Sequence, residues 1–130
     1  MIAELLTILI PILIMIESSG DPNAVGAHDD VGILQITPIY LMDVNRILGK
    51  EVYKLNDRYD PAKSKQMTRV YLTHYAPKIC RDEAVSVLDR LLILGAIHHG
   101  GPKGYTKHAK HMTSYRIKIS KYYNSTKGHL

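Results

Sequence analysis

Apolar runs separated by short polar segments predict a chain built mainly from helices. Residues 1–16 are almost wholly apolar, and this run ends at Glu17. A membrane helix needs about 20 apolar residues, and a signal peptide needs a basic start and a small-residue cleavage site. We therefore interpret residues 1–16 as a buried helix kinked near Pro11, with a membrane anchor or an uncleaved export signal as the alternative.

Further helices are predicted where apolar residues recur at helical spacing. Thr37 and Pro38 form a helix start signal, and Gly49 ends the helix that they open. Asp60 and Pro61 repeat that signal for the third helix. The later apolar repeats are Met67, Val70, Tyr71 and His74 in the third helix, Val85, Leu88, Leu92, Gly95 and Ala96 in a helix capped by Asp82, and Met112, Tyr115, Ile119 and Tyr122 in the last.

Residues 18–31 are small, polar and turn-forming, so we expect an irregular loop after the first helix. No segment alternates apolar and polar residues with period two, and no substantial sheet is therefore expected. The predicted fold class is mainly α. The length of 130 residues predicts a single domain over 1–130.

Composition narrows the choice of partner. The 17 Lys and Arg residues outnumber the 12 Asp and Glu residues, and the formal net charge is +5, which favours nucleic acid, a membrane face or bacterial cell wall. Basic residues and tyrosines interleave over 103–127, but no nucleic-acid-binding motif accompanies them. We therefore expect attraction to the wall, with a basic nucleic-acid-binding protein as the alternative. The single Cys80 excludes an intrachain disulfide.

Glu17 is the carboxylate with the most informative position. It lies at the end of the most apolar segment and directly before a polar loop. Partial burial penalises the ionised form of a carboxyl group, which is how a glutamate becomes a general acid near neutral pH. A solvated glutamate at a frayed helix end is the alternative interpretation.

Three sequence blocks carry a resemblance to a known family. They are ESSGDPNAVG over 17–26, VGILQITP over 31–38 and AIHHGGP over 96–102. In order and content they resemble the E-S-x-x-x-P-N-A-V, G-L-M-Q-I-x-P and A-Y-N-x-G-P blocks of soluble lytic transglycosylases and goose-type lysozymes. The resemblance implies a lysozyme-like α fold of about five to six helices, with an active-site cleft for the β-1,4-linked glycan strands of peptidoglycan.

The resemblance also implies roles for individual residues. Glu17 takes the place of the catalytic acid, and Gln35 matches the glutamine that would hydrogen-bond the N-acetyl sugar, with Gly32 letting the backbone approach that sugar. The other expected substrate-binding residues are Ser18, Ser19, Tyr40, His98, His99 and Tyr105. The third block departs from the family, since His98 and His99 stand where the family has an aromatic residue, often Tyr, and Asn.

A second carboxylate would decide the reaction, because glycosidases normally use two. Asp30 lies beside Asp29 on the loop before Gly32, where some goose-type relatives place an acidic residue that would hold a water. Many transglycosylases lack it. There the resemblance implies one glutamate acting as acid and then base, assisted by the substrate's acetamido group, with an internal hydroxyl closing a 1,6-anhydro ring. Both hydrolysis and transglycosylation therefore stay open, and Asp30 is a candidate catalytic residue for hydrolysis.

The predicted function is cleavage of the bonds between N-acetylmuramic acid and N-acetylglucosamine, and a non-catalytic wall-binding module of the same fold is the alternative. We expect no metal, because His74, His98, His99, His108 and His111 lack the spacing of a zinc site, and no cofactor. We expect action at the bacterial cell wall by a phage-type or bacterial lysin made in the cytoplasm and released, or exported by an unrecognised route. The sequence predicts no stable membrane span and no particular oligomeric state.

Overall fold

The computed structural model describes residues 1–107 and 113–127 and is mainly helical. Its helices are α1 (Ile2–Ser18), α2 (Pro38–Leu48), α3 (Pro61–Tyr75), α4 (Val87–Gly100), α5 (Gly104–Lys107) and α6 (Thr113–Lys127). Two 3-10 helices, Leu55–Tyr59 and Lys78–Arg81, lie between them. The described residues contain isolated β-bridges and no strand, so the predicted mainly α class is confirmed.

The predicted start signals of α2 and α3 are confirmed at atomic level. The hydroxyl of Thr37 accepts a hydrogen bond from the Tyr40 amide at 3.1 Å, and Gly49 ends α2 in a left-handed conformation with φ of 79°. Asp60 accepts from the amide of Ala62 at 2.9 Å at the start of α3. These side chains satisfy amide groups that have no partner within the helix.

The predicted start of α4 at Asp82 is wrong. The Asp82 carboxylate accepts from the amide of Ala84 at 2.9 Å within a turn, and α4 begins only at Val87. Ser86 is the cap, and its hydroxyl accepts from the Asp89 amide at 3.1 Å. Aspartate and serine both bond to amides two or three residues ahead, so local sequence does not distinguish a turn from a helix start.

Helix α1 corresponds to the long apolar run and contains Pro11. Its buried residues are Ile2, Leu5, Leu6, Leu9, Ile10, Ile12 and Leu13. They recur at helical spacing, whereas Glu4, Ile8, Pro11 and Met15 are exposed. Within the described ranges, no helix has the length and apolar character needed to cross a membrane.

Backbone contacts divide the chain into two compact units, and the boundary falls within α1. The first unit comprises Met1–Leu13 and Tyr75–Leu130. In it α4 contacts α5, α6 and the 3-10 helix Lys78–Arg81. Gly95 permits the close contact with α6, because a Cβ there would lie 2.3 Å from Cδ1 of Ile119.

The second unit, Ile14–His74, contains the end of α1, the loop that follows it, α2 and α3. Val31 and Ile36 exchange two backbone hydrogen bonds, of 3.1 and 3.0 Å, which close a tight turn within that loop. The fully buried side chains of this unit include Val31, Leu34, Ile36, Val44, Met67 and Leu72. Val31, Leu34 and Ile36 belong to the turn and are buried, so the turn is part of the apolar interior and not a free surface loop.

Candidate active site

Glu17 lies in the last turn of α1 and belongs to the second unit. Its side chain is half-buried. Ser19 and Gly20 end the helix with left-handed backbone, at φ of 55° and 88°. The carboxyl group therefore stands where a regular helix gives way to a tightly turned loop.

Ser18 anchors this end of α1 to the second sequence block. Its hydroxyl lies 2.8 Å from the carbonyl oxygen of Ile33 and 3.3 Å from that of Ile14, and it accepts from the Gly20 amide at 3.1 Å. Ser18 thus bonds to the backbone, whereas the side chain of its neighbour Ser19 is exposed. The bond to Ile33 ties the residue after Glu17 to the turn that carries Gln35.

Gln35 occupies a left-handed conformation, with φ of 52°, that is uncommon for a residue other than glycine. Its Nε2 donates to the carbonyl oxygens of Ala24 and Gly32, at 3.1 and 3.0 Å. The amide nitrogen therefore holds its own loop together. Within the described residues the Oε1 atom has no hydrogen-bond partner, and it remains the acceptor that Gln35 can offer to a ligand.

Gly32 makes a close contact with protein backbone. Its φ is 86°, and a Cβ there would lie 2.0 Å from the carbonyl oxygen of Arg58. The space left by the missing side chain is filled by protein backbone. Gly32 thus permits contact with the 3-10 helix Leu55–Tyr59, and the approach of its backbone to a sugar stays a prediction.

Arg58 is the residue that sequence reasoning missed. It is 5% exposed, and its guanidinium donates to the carbonyl oxygens of Asp29 at 2.6 Å and Ile36 at 3.0 Å, and to that of Leu55 at 3.0 Å. Ser64 donates to the Arg58 carbonyl at 2.9 Å. Arg58 therefore connects both ends of the segment 29–36 to a separate element. The sequence gives no signal for it, since a lone arginine usually lies on the surface.

The carboxylates of Asp29 and Asp30 both interact with protein groups. Asp30 Oδ1 accepts from the amide of His28 at 3.0 Å, and Asp30 lies so close to Gly26 that a Cβ there would be 2.2 Å from its Oδ2. Asp29 Oδ1 lies 3.5 Å from a guanidinium nitrogen of Arg58. The Asp30 bond is typical of a turn residue, whereas Asp29 pairs with the separate 3-10 helix Leu55–Tyr59.

Tyr40 and Tyr71 form a stacked pair, with ring centroids 3.8 Å apart. They are 7% and 5% exposed. Burial raises the pKa of the Tyr40 phenol well above its usual range; a hydrogen bond with Thr68 lowers this pKa, and the nearby Tyr71 and then Glu17 raise it. Tyr40 is therefore a protonated hydrogen-bond donor at neutral pH, close enough to Glu17 to interact electrostatically.

The third sequence block belongs to the first unit. His98 and His99 lie in the last turn of α4, His98 is buried, and His99 is exposed and stacks on Tyr115 at 4.3 Å between ring centroids. Gly101 ends α4 at φ of 87°. Tyr105 is half-buried in α5, and its carbonyl oxygen accepts from Arg116 at 3.3 Å.

Histidine, cysteine and acidic side chains are the residues that most often bind metal ions in proteins. Within residues 1–107 and 113–127, no group of three such side chains is arranged to hold a metal ion. His108 and His111 lie outside the described residues. The candidate chemistry in the second unit therefore consists of one half-buried carboxyl group, a protonated phenol and an amide oxygen.

The described residues form a mainly α fold in which a half-buried carboxyl group lies in the last turn of the first helix, before a tightly bonded loop, and this is consistent with a lysozyme-like all-α domain. The chain belongs to the transglycosylase SLT domain family, whose family model matches residues 3–120. No curated protein matches the chain. Membership confirms the resemblance carried by the three blocks, and it supports a peptidoglycan-directed activity of the lytic transglycosylase type.

Proposed function

We propose that this protein cleaves the β-1,4 bond between N-acetylmuramic acid and N-acetylglucosamine, with Glu17 as general acid and then general base. The observation that carries the proposal is the position of Glu17, half-buried in the last turn of α1 and followed by a loop that Ser18 fastens to the Gln35 turn. A rigid support of this kind keeps an acid in one orientation towards the bond that it protonates.

The reaction begins when the Glu17 carboxyl group donates its proton to the glycosidic oxygen. The bond from that oxygen to C1 of the muramic acid breaks, and the carbonyl oxygen of the neighbouring acetamido group attacks C1 as the leaving sugar departs. The Glu17 carboxylate then accepts the proton of the C6 hydroxyl, whose oxygen forms the new bond to C1. This second step releases the acetamido group and leaves Glu17 protonated again.

We propose this transglycosylation in preference to hydrolysis. Hydrolysis with inversion needs a second carboxylate that activates a water. The carboxylate of Asp30 accepts a backbone hydrogen bond and lies against Gly26, and that of Asp29 faces Arg58. Hydrolysis with Asp30 as the second catalytic residue is the competing proposal.

The remaining predicted site residues are proposed to contact or support the substrate. Gln35 Oε1 accepts a hydrogen bond from the acetamido N–H, because its Nε2 is held by the loop. Tyr40 is buried, so we propose that it acts on Glu17 and not on the sugar. Ser18 supports the site through its bonds to backbone, and we propose that the exposed Ser19 contacts the sugar. Substrate contacts of His98, His99 and Tyr105 are proposed from the sequence resemblance alone, for a single domain that acts at the bacterial cell wall.

The experiment compares the protein with its Glu17→Gln variant on purified sacculi, with soluble products analysed by mass. We expect the variant to release at least about 100-fold less material, because a carboxamide has no proton to donate. Glu4→Gln is the matched control, since Glu4 lies on the same helix and is exposed. Products one water lighter than hydrolysis fragments support transglycosylation, whereas equal release by both proteins contradicts the role of Glu17.

A further inference from the structure

The first unit contains a pocket that the proposed reaction does not use. It has a volume of about 530 Å³, and its walls include Glu4, Leu5, Ile8, Glu83, Val87 and Arg90. All of these residues belong to the first unit, whereas Glu17 belongs to the second. The volume is within the range of sites that bind small molecules.

Arg90 is the unusual wall residue, because it is only 8% exposed. Its Nε atom is buried and has no hydrogen-bond partner among the described residues. No carboxylate in that part of the chain forms an ion pair with it. A buried guanidinium without an anionic partner is costly, since the charge has lost part of its hydration without a replacement.

The backbone amide and carbonyl groups of Arg90 both form hydrogen bonds, so its unpaired polar atom lies in the side chain. The Arg90 amide donates to the carbonyl oxygen of Ser86 at 3.1 Å, and the Cys80 thiol donates to the carbonyl oxygen of Arg90 at 3.9 Å. Both contacts hold this turn of α4 in place. Helix α4 therefore holds Arg90 at the wall of the pocket, where its guanidinium group can bind an anionic ligand.

The other walls limit what can enter. Leu5, Ile8 and Val87 offer apolar surface, which suits an aliphatic group. The Glu4 carboxylate pairs with the α-amino group of Met1, which also lines the pocket, whereas the Glu83 carboxylate disfavours ligands that carry several negative charges. A guanidinium binds a carboxylate through two parallel hydrogen bonds.

We propose that this pocket binds a monocarboxylate with a small apolar body, held by Arg90 and packed against Leu5, Ile8 and Val87. The C-terminal carboxylate of a peptide and a short aliphatic acid share this chemistry. The proposal does not depend on Glu17 and stands apart from the proposed glycan cleavage.

The test titrates the full chain with N-acetyl-L-alanine, a peptide-end mimic, and with butyrate, an aliphatic acid, and follows backbone amide NMR shifts. The amide of N-acetyl-L-alanine is the uncharged control. We expect saturable binding of a carboxylate with shifts centred on α1 and the start of α4, and the tighter of the two acids identifies the source. Equal binding of the uncharged amide, or no saturable binding of either acid, overturns the proposal.

Variants locate the site. Arg90→Met should weaken carboxylate binding at least about tenfold, since it removes the charged donor. Glu83→Gln, at an exposed position, should tighten binding about twofold to threefold by removing a repelling charge, which keeps the proposal testable if the Arg90 variant does not fold. Glu51→Gln, in the other unit, is the control and should leave binding unchanged. Unchanged binding in both Arg90→Met and Glu83→Gln would contradict the assignment.

Discussion

Two glycines with nearly the same backbone conformation have very different surroundings. Gly20 and Gly32 have φ of 88° and 86°. A Cβ at Gly20 meets no atom within 4 Å, whereas a Cβ at Gly32 would lie 2.0 Å from the Arg58 carbonyl oxygen. We expect Gly20→Ala to lower the free energy of unfolding by about 1 kcal/mol, the cost of left-handed backbone alone. Gly32→Ala should lower it by about 3 kcal/mol or more, because backbone must move as well.

Urea unfolding of the two alanine variants and the unsubstituted protein measures this difference. The Gly20 variant is the matched control, since it shares the left-handed backbone without the steric conflict. Equal losses of stability in the two variants would show that the contact with Arg58 is not maintained in solution.

Cys80 is a second residue whose surroundings decide its chemistry. It is fully buried, and burial raises the pKa of its thiol from 9.0 to about 11. The thiolate is the reactive form, so a thiol reagent at neutral pH should label the folded protein at least about 100-fold more slowly than the urea-unfolded protein. Rapid labelling of the folded protein would contradict this expectation.

The raised pKa of Cys80 also links stability to pH. The folded state favours the neutral thiol, so this contribution to stability is fully present below about pH 9 and is lost as pH rises towards about 11. Urea unfolding at several pH values, compared with Cys80→Ala, should show an alkaline decline that is steeper in the unsubstituted protein. Parallel declines would count against the linkage.

Among the elements, the segment 29–36 depends on a helix that lies well beyond it in sequence. Arg58 donates to the carbonyl oxygens of Asp29 and Ile36, and Ser64 donates to the Arg58 carbonyl. Hydrogen bonds from a charged donor are stronger than neutral ones. We expect Arg58→Ala to lower the free energy of unfolding by about 3 kcal/mol, because buried carbonyl groups lose a donor.

Asp29→Asn is the matched control for Arg58→Ala. It removes the charge of a carboxylate whose side chain is 61% exposed and leaves the bonds from Arg58 to backbone in place. We expect it to cost less than about 1 kcal/mol. Release of material from sacculi, measured where both variants are folded, should fall more in Arg58→Ala because that segment carries Gln35. A larger loss of stability in Asp29→Asn than in Arg58→Ala would show that the ion pair, and not the hydrogen bonds to backbone carbonyl groups, stabilises this segment.

At the scale of the whole molecule, the net charge of +5 should strengthen association with an anionic wall. Binding of the Glu17→Gln variant to sacculi should weaken about tenfold when the salt concentration rises from about 0.05 M to about 0.5 M, since salt screens exposed charges. Exposed Lys118 and Lys121 permit a matched comparison, because replacing both by Gln lowers the charge while leaving α6 intact. Salt-independent binding would contradict an electrostatic contribution.

The sequence by itself determined the helical class, the starts of α2 and α3, and the blocks that hold Glu17 and Gln35. These signals act within one or two helical turns, so neighbouring residues suffice to predict them. Only the tertiary structure decided that Arg58 holds residues 29–36, that Gly32 faces a carbonyl group and that Tyr40 stacks on Tyr71. The Arg58 bonds join residues 29 and 22 positions apart, and no local pattern specifies which distant donor will be buried against which acceptor.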